Sequence, residues 1–113
     1  MSSVLIVGGD QVDGIKEVLG NYGVSNIHHW SGRNGGDGNK VIPQSTKVIV
    51  LVTKWVNHSI TYKVKKHATK HGIKVLYTPN ASRERMFDII KKDELKPIIE
   101  SAFNQKGWWP FNA

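Results

Sequence analysis

Gly8-Gly9-Asp10 closes a short apolar run and opens the segment that follows it. Glycines let a backbone come close to a ligand, and N–H groups at a helix start favour an anion. The spacing is not the dinucleotide fingerprint Gly-x-Gly-x-x-Gly, because the glycines fall at 8, 9 and 14. A Gly-x-x-x-x-Gly-Lys-Ser/Thr phosphate loop is absent as well. Asp10 would repel a phosphate and suits a helix cap equally well. Gly8, Gly9 and Asp10 are therefore candidates for a small-ligand site, without a conventional NAD, FAD or P-loop chemistry.

Five histidines invite a search for metal or acid–base clusters. His67 and His71 stand four apart, the spacing at which two imidazoles share a helix face, but the residues between them are Ala68-Thr69-Lys70, with no glutamate for a His-Glu-x-x-His site. His28 and His29 alternate across an extended segment, so only one faces a given side. Either one with His58 and Asp10 makes a cross-loop cluster. Ser31 or Ser59 with a histidine and Asp10 permits a triad on paper, although no nucleophile elbow is present. Arg33, Lys54, Asn57 and His58 offer donors to a phosphate or a base edge, and the planar guanidinium of Arg33 suits both. The sequence points to no catalytic residue, no metal and no cofactor.

These groups must be held in place by a fold, and the hydropathy pattern supplies one. Val4-Leu5-Ile6-Val7 and Val48-Ile49-Val50-Leu51-Val52 are continuous apolar runs, as in strands covered on both faces of a parallel sheet. Ser25–Trp30 and Ile73–Tyr77 read as two further strands. Val12, Ile15, Val18 and Leu19 form a helical stripe with Gly20-Asn21 as the stop, and Gly14 weakens this helix. A long helix runs from about Asn57 to His71, capped by Asn57 or Thr53 and stopped by Gly72. Its inner stripe is Ile60, Val64, His67/Ala68 and His71. Ser82 caps a third helix from Arg83, with Met86, Phe87, Ile89, Ile90 and Leu95 as its apolar positions. Pro97 kinks the chain before a short apolar helix through Phe103.

The expected order is β-α-β-loop-β-α-β-α. It predicts a small three-layer α/β domain, Rossmann-like or flavodoxin-like, with a four-stranded mostly parallel sheet over residues 1–103. An irregular aromatic tail follows over 104–113. Right-handed crossovers place helices on both faces, and ligands of such sheets bind beyond the C-terminal ends of the strands. The ends at Gly8–Asp10, Trp30–Arg33, Thr53-Lys54 and Thr78–Asn80 should therefore converge.

The chain has 113 residues, 16 basic and 9 acidic, a net charge of +7 and no cysteine. That length suits one domain, and the absence of cysteine excludes disulfides, thiol nucleophiles and Cys-ligated metals. No apolar run approaches the ~20 residues of a membrane span, and the start lacks a basic signal-peptide segment. An intracellular, cytoplasmic protein is expected. From Gly38 to Arg83 nine basic residues stand without an acid, a segment charge of +9 that leaves the remainder at −2. Lys63, Lys66 and Lys70 share one outer helix face. Such a field attracts nucleic acid, DNA or RNA, or an acidic protein surface.

Val4–Asp10, His29-Trp30-Ser31-Gly32-Arg33, Ile42-Pro43, Thr53, Val56-Asn57-His58, and Val64–Ala68 with Gly72-Ile73 together resemble the bacterial and phage family called Domain of Unknown Function 2325. The resemblance covers roughly residues 3–83. It implies a Rossmann-like domain and marks Gly9, Asp10, Gly32, Arg33, Asn57 and His58 as motif positions, without implying an activity. The tail lies outside it.

Three functions follow as expectations. The first is a non-enzymatic nucleic-acid-binding or regulatory module, dimeric, with Arg33, Lys54, Lys63, Lys66 and Lys70 contacting the polyanion. The second is a nucleotide or small-ligand pocket at the strand ends, lined by Gly8, Gly9, Asp10, Arg33, Asn57 and His58. The third is a protein-interaction device, such as a phage-encoded inhibitor of a host enzyme, that docks through Trp108, Trp109 and Phe111.

Overall fold

Val4, Leu5, Ile6 and Val7 have no solvent-accessible surface, and neither do Val48 through Val52. Strands this apolar on both faces need cover on both. In the computed structural model, which describes residues 2–31 and 41–92, that cover comes from three helices around a four-stranded sheet. The chain runs β1 (Ser3–Val7), α1 (Asp13–Asn21), β2 (Ile27–Trp30), β3 (Thr46–Val52), α2 (His58–His71), β4 (Lys74–Thr78) and α3 (Arg83–Lys92). A 3-10 turn, Thr53–Trp55, leads from β3 towards α2.

The strand order is β2-β1-β3-β4 and every neighbouring pair is parallel, so the sheet is wholly rather than mostly parallel. This is the flavodoxin-like order, with the chain stepping to one side of β1 and then to the other. Alternation along the strands divides the core in two. Val4, Ile6, Val48, Val50, Val52 and Leu76 pack against Ile15, Val18 and Leu19 of α1 and Met86 and Ile90 of α3. Leu5, Val7, Ile49 and Leu51 point the other way, onto Ile60, Val64 and Ala68 of α2. Fully burying a side chain of this size contributes about 1.5–3 kcal/mol, which makes the two central strands the chief source of stability.

Helix ends follow local chemistry. The Asn57 side chain accepts a hydrogen bond from the Ile60 N–H at 2.8 Å, so Asn57 rather than Thr53 caps α2. Gly72 closes the helix at φ 66°, with the Ile73 N–H reaching the Ala68 carbonyl at 2.9 Å. α1 differs from its sequence reading. It continues through Gly20-Asn21, and Gly23, at φ 90°, takes the left-handed position. The Val24 N–H donates to Leu19 and the Gly23 N–H to Gly20, each at 3.0 Å. The inner stripe of α2 also ends earlier than expected. Ala68 is buried, whereas His67 is half-buried and His71 exposed. A cavity lined by Ile42, Pro43 and Thr46, rather than closely packed sheet, lies beneath that last turn.

Gly14 has a tertiary reason. A Cβ there would run into the Ala81 carbonyl oxygen, so the glycine lets α1 approach the segment that leads into α3. The Arg83 guanidinium also reaches the Glu17 carboxylate at 2.9 Å, an exposed pair worth about 0–1 kcal/mol. Gly20, by contrast, has open space around its missing Cβ. Gly14→Ala should therefore destabilise by about 1–3 kcal/mol of overpacking, offset in part by its helix propensity. Gly20→Ala should stabilise by about 0.5–1 kcal/mol. Chemical denaturation of the two variants beside the parent checks both signs.

Candidate functional site

β1 ends in a turn that only glycine suits. Gly8 and Gly9 have φ of 115° and 85°. A Cβ on Gly8 would stand 2.9 Å from the Val52 carbonyl oxygen, and one on Gly9 would run into the six-membered ring of Trp55. The Gly8 N–H donates to the Trp30 carbonyl at 2.8 Å and the Gly9 N–H to the Ser31 carbonyl at 2.9 Å. These bonds extend the β1–β2 ladder beyond Val7. His29 completes the arrangement by donating from Nε2 to the Gly9 carbonyl at 2.6 Å. Its proton therefore sits on Nε2, and its role is to hold the turn. Among the described residues no cluster of three His, Cys, Asp or Glu is placed to hold a metal.

Beyond this turn lies a crevice of about 460 Å³, lined by Gly9, Asp10, Gln11, Ser31 and Trp55. It stands where the strand order reverses between β1 and β3, the position at which sheets of this topology take ligands. Its volume falls in the range of about 300–1,000 Å³ usual for small-molecule sites. Trp55 is 45% exposed although its ring lies over Gly9, so the indole forms a wall of the crevice. Two of the four expected strand ends contribute to this lining, and the third, Thr53-Lys54, is represented by the next residue, Trp55. The fourth, Thr78–Asn80, is occupied with its own turn. Thr53 Oγ1 donates to the Thr78 carbonyl at 3.4 Å, Thr78 Oγ1 donates to that of Asn80 at 2.7 Å, and Asn80 Oδ1 accepts from the Ser82 N–H at 3.0 Å.

Of the residues singled out in the sequence, Gly9 and Asp10 line the crevice, whereas Gly8 packs against Val52 and Val56 and is not part of its lining. The Asn57 side-chain Oδ1 is committed to the helix cap, and His58 is exposed at the first position of α2. Lys54 is exposed on the 3-10 turn, and Lys63, Lys66 and Lys70 on α2. Arg33, Gly32, Trp108, Trp109 and Phe111 lie outside the described residues, as do the rest of the Gly/Asn-rich loop and the segment after Lys92. Trp55 and Gln11 were not singled out. The signal for Trp55 was its position immediately after an apolar strand, at the sheet end where ligands bind. Two more exposed aromatics accompany the lysines: Tyr62 on α2, and Tyr77 on β4 with Lys65 Nζ 5.2 Å from its ring centroid.

At the opposite end of the sheet, Ile42, Pro43, Gln44, Thr46, Lys47, His67, His71, Gly72 and Ile73 surround a cavity of about 340 Å³. Thr46 is 3% exposed, and its Oγ1 has no hydrogen-bond partner among the described residues. The His67 and His71 rings lie 4.3 Å apart between centroids. Burial, then the neighbouring His71 and Lys70, hold His67 below the usual imidazole range. The unfolded chain therefore binds this proton more readily. The stability that His67 contributes is fully present above its ordinary pKa of about 6.5 and is lost as pH falls below it. His67→Gln should flatten the decline in melting temperature between about pH 7 and 5 relative to the parent.

The glycine turn gives a second test. Gly8→Ala meets backbone and should cost about 2–5 kcal/mol, combining a left-handed conformation with overpacking. Gly9→Ala meets a side chain that can swing away, and should cost about 1–2 kcal/mol while displacing Trp55. Melting temperatures rank the pair, and indole fluorescence reports the displacement.

No curated protein and no solved structure matches the chain. The family described as "Uncharacterized protein conserved in bacteria (DUF2325)" matches residues 3–92, which takes in every element from β1 to α3 and extends past the residues whose motifs suggested it. The chain belongs to this family.

Proposed function

We propose that this domain is a nucleic-acid-binding module of the cytoplasm, without catalytic activity of its own, and that α2 is the surface on which it meets phosphate. The observation that carries the reading is the sidedness of charge. α2 presents Lys63, Lys65, Lys66 and Lys70, all exposed, with three histidines and no acid in its 14 residues. Asp13, Glu17, Glu84 and Asp88 belong to α1 and α3, which pack on the other face of the sheet and mix these acids with Lys16, Arg83, Arg85, Lys91 and Lys92. α2 is thus a helix of one charge sign, and a one-signed field of this kind concentrates polyanions. Lys54 carries the positive charge round to the strand ends.

Tyr62, Tyr77 and Trp55 favour a single strand over a duplex, because exposed aromatics among lysines stack unpaired bases. Binding of short labelled single strands should weaken steeply as salt rises from about 50 to 300 mM. Replacing Lys63, Lys66 and Lys70 together by alanine should reduce the slope of log K against log salt by about 2–3. Fluorescence anisotropy at four or five salt concentrations measures this. Binding that ignores salt, or an unchanged slope in the triple variant, rejects the basic face.

A further inference from the structure

We infer that the crevice between β1 and β3 is a nucleobase site, in which one unpaired base stacks on Trp55 while Asp10, Gln11 and Ser31 meet its polar edge. The inference rests on the proposed nucleic-acid reading for the source of its occupant, a base within a single strand. The same chemistry accepts the base of a free nucleoside.

Four observations point to this occupant. The crevice has a flat, electron-rich wall in an indole that is 45% exposed despite lying over Gly9. The other described side chains of its lining are polar, a carboxylate, an amide and a hydroxyl, which suits a ring with hydrogen-bonding edges better than an aliphatic ligand. Among the described residues no cation lines it, and Asp10 opposes an anion there, so a phosphate group is favoured outside the crevice. Lys54, the residue before Trp55, is exposed and offers that phosphate a cation. An uncharged ring inside and a charged backbone outside match the two parts of a single-stranded nucleotide.

The turn explains why the wall stands where it does. With a side chain at position 9 the indole could not lie over the backbone, and Gly9 is held by its N–H to Ser31 and by its carbonyl to His29. The backbone on which the indole rests is therefore fixed before a base arrives, which lowers the ordering cost of binding.

The test uses uncharged ligands, so that the lysine face has no part in it. Adenosine and cytidine are titrated into the isotope-labelled full chain at millimolar concentration, and backbone amide shifts are followed. Saturable shifts at Gly9, Gln11 and Ser31 are expected, with the same shifts in the Lys63, Lys66 and Lys70 triple variant. Absence of shifts at these amides in the parent overturns the nucleobase site, whatever the basic face does with polymers. In the polymer arm, Trp55→Ala should weaken binding of a 12-nucleotide single strand by about 5- to 150-fold, the range of one base–aromatic stack. It should leave duplex binding and the salt slope unchanged. Trp55→Phe keeps a stacking ring and should restore most of the affinity, which separates loss of the platform from loss of the fold. An equal effect of Trp55→Ala on single strand and duplex, or no effect on either, counts against the site.

Discussion

The parallel pairing of β1 with β3 is the constraint on which everything else hangs. Val4 through Val7 lie opposite Val48 through Leu51, and every one of these residues is sealed from solvent. A strand buried on both faces has no tolerance for a register slip, because a shift by one residue would exchange the side chains that meet α1 and α3 with those that meet α2. Both helical layers are aligned by this ladder. So is the crevice, since the ends of these strands deliver the Gly8-Gly9 turn and the Thr53–Trp55 turn side by side.

Handedness then decides where charge goes. Right-handed crossovers send α1 to one face of the sheet and α2 to the other, because the chain leaves β1 in one direction and returns past it in the other. The sequence keeps acids out of a continuous stretch, and topology sets its helix, α2, on the face opposite Asp13, Glu17, Glu84 and Asp88. Neither alone would produce a basic face. In a fold that put α2 beside α1, Asp13 and Glu17 would lie among the lysines and cancel much of their field.

What could be read from the sequence is what is decided locally or by burial on both faces. The two apolar runs declared themselves as interior parallel strands, Gly72 declared the end of α2, and its start was narrowed to Asn57 or Thr53, through chemistry confined to a few residues. The failures share a different origin. Gly20-Asn21 read as the stop of α1, but Leu19 packs into the core and the Val24 N–H closes back on its carbonyl, which carries the helix on to Asn21. Gly14 looked like a flaw in α1 because Ala81, which demands it, is distant in sequence. His71 falls on the inward stripe by periodicity, yet no closely packed sheet lies beneath it. Trp55 went unnoticed for the same reason as Gly14, since its place against Gly9 exists only after β1 and β3 have paired.

That pairing also has a consequence in time. Val4 meets Val48, and the residues between them include α1, β2 and the Gly/Asn-rich segment, so the first central contact closes a loop of more than forty residues. β2 offers little before then, with one strand of four half-buried or exposed residues. During synthesis the N-terminal third of the chain is therefore without a sheet to join until Thr46–Val52 has emerged. A search of this kind, ended by a distant strand rather than a neighbouring one, belongs to the slower end of small-domain folding. The apolar segment Val4–Val7 spends that interval uncovered, and it is the stretch that a nascent chain most needs to keep from pairing with another copy of itself.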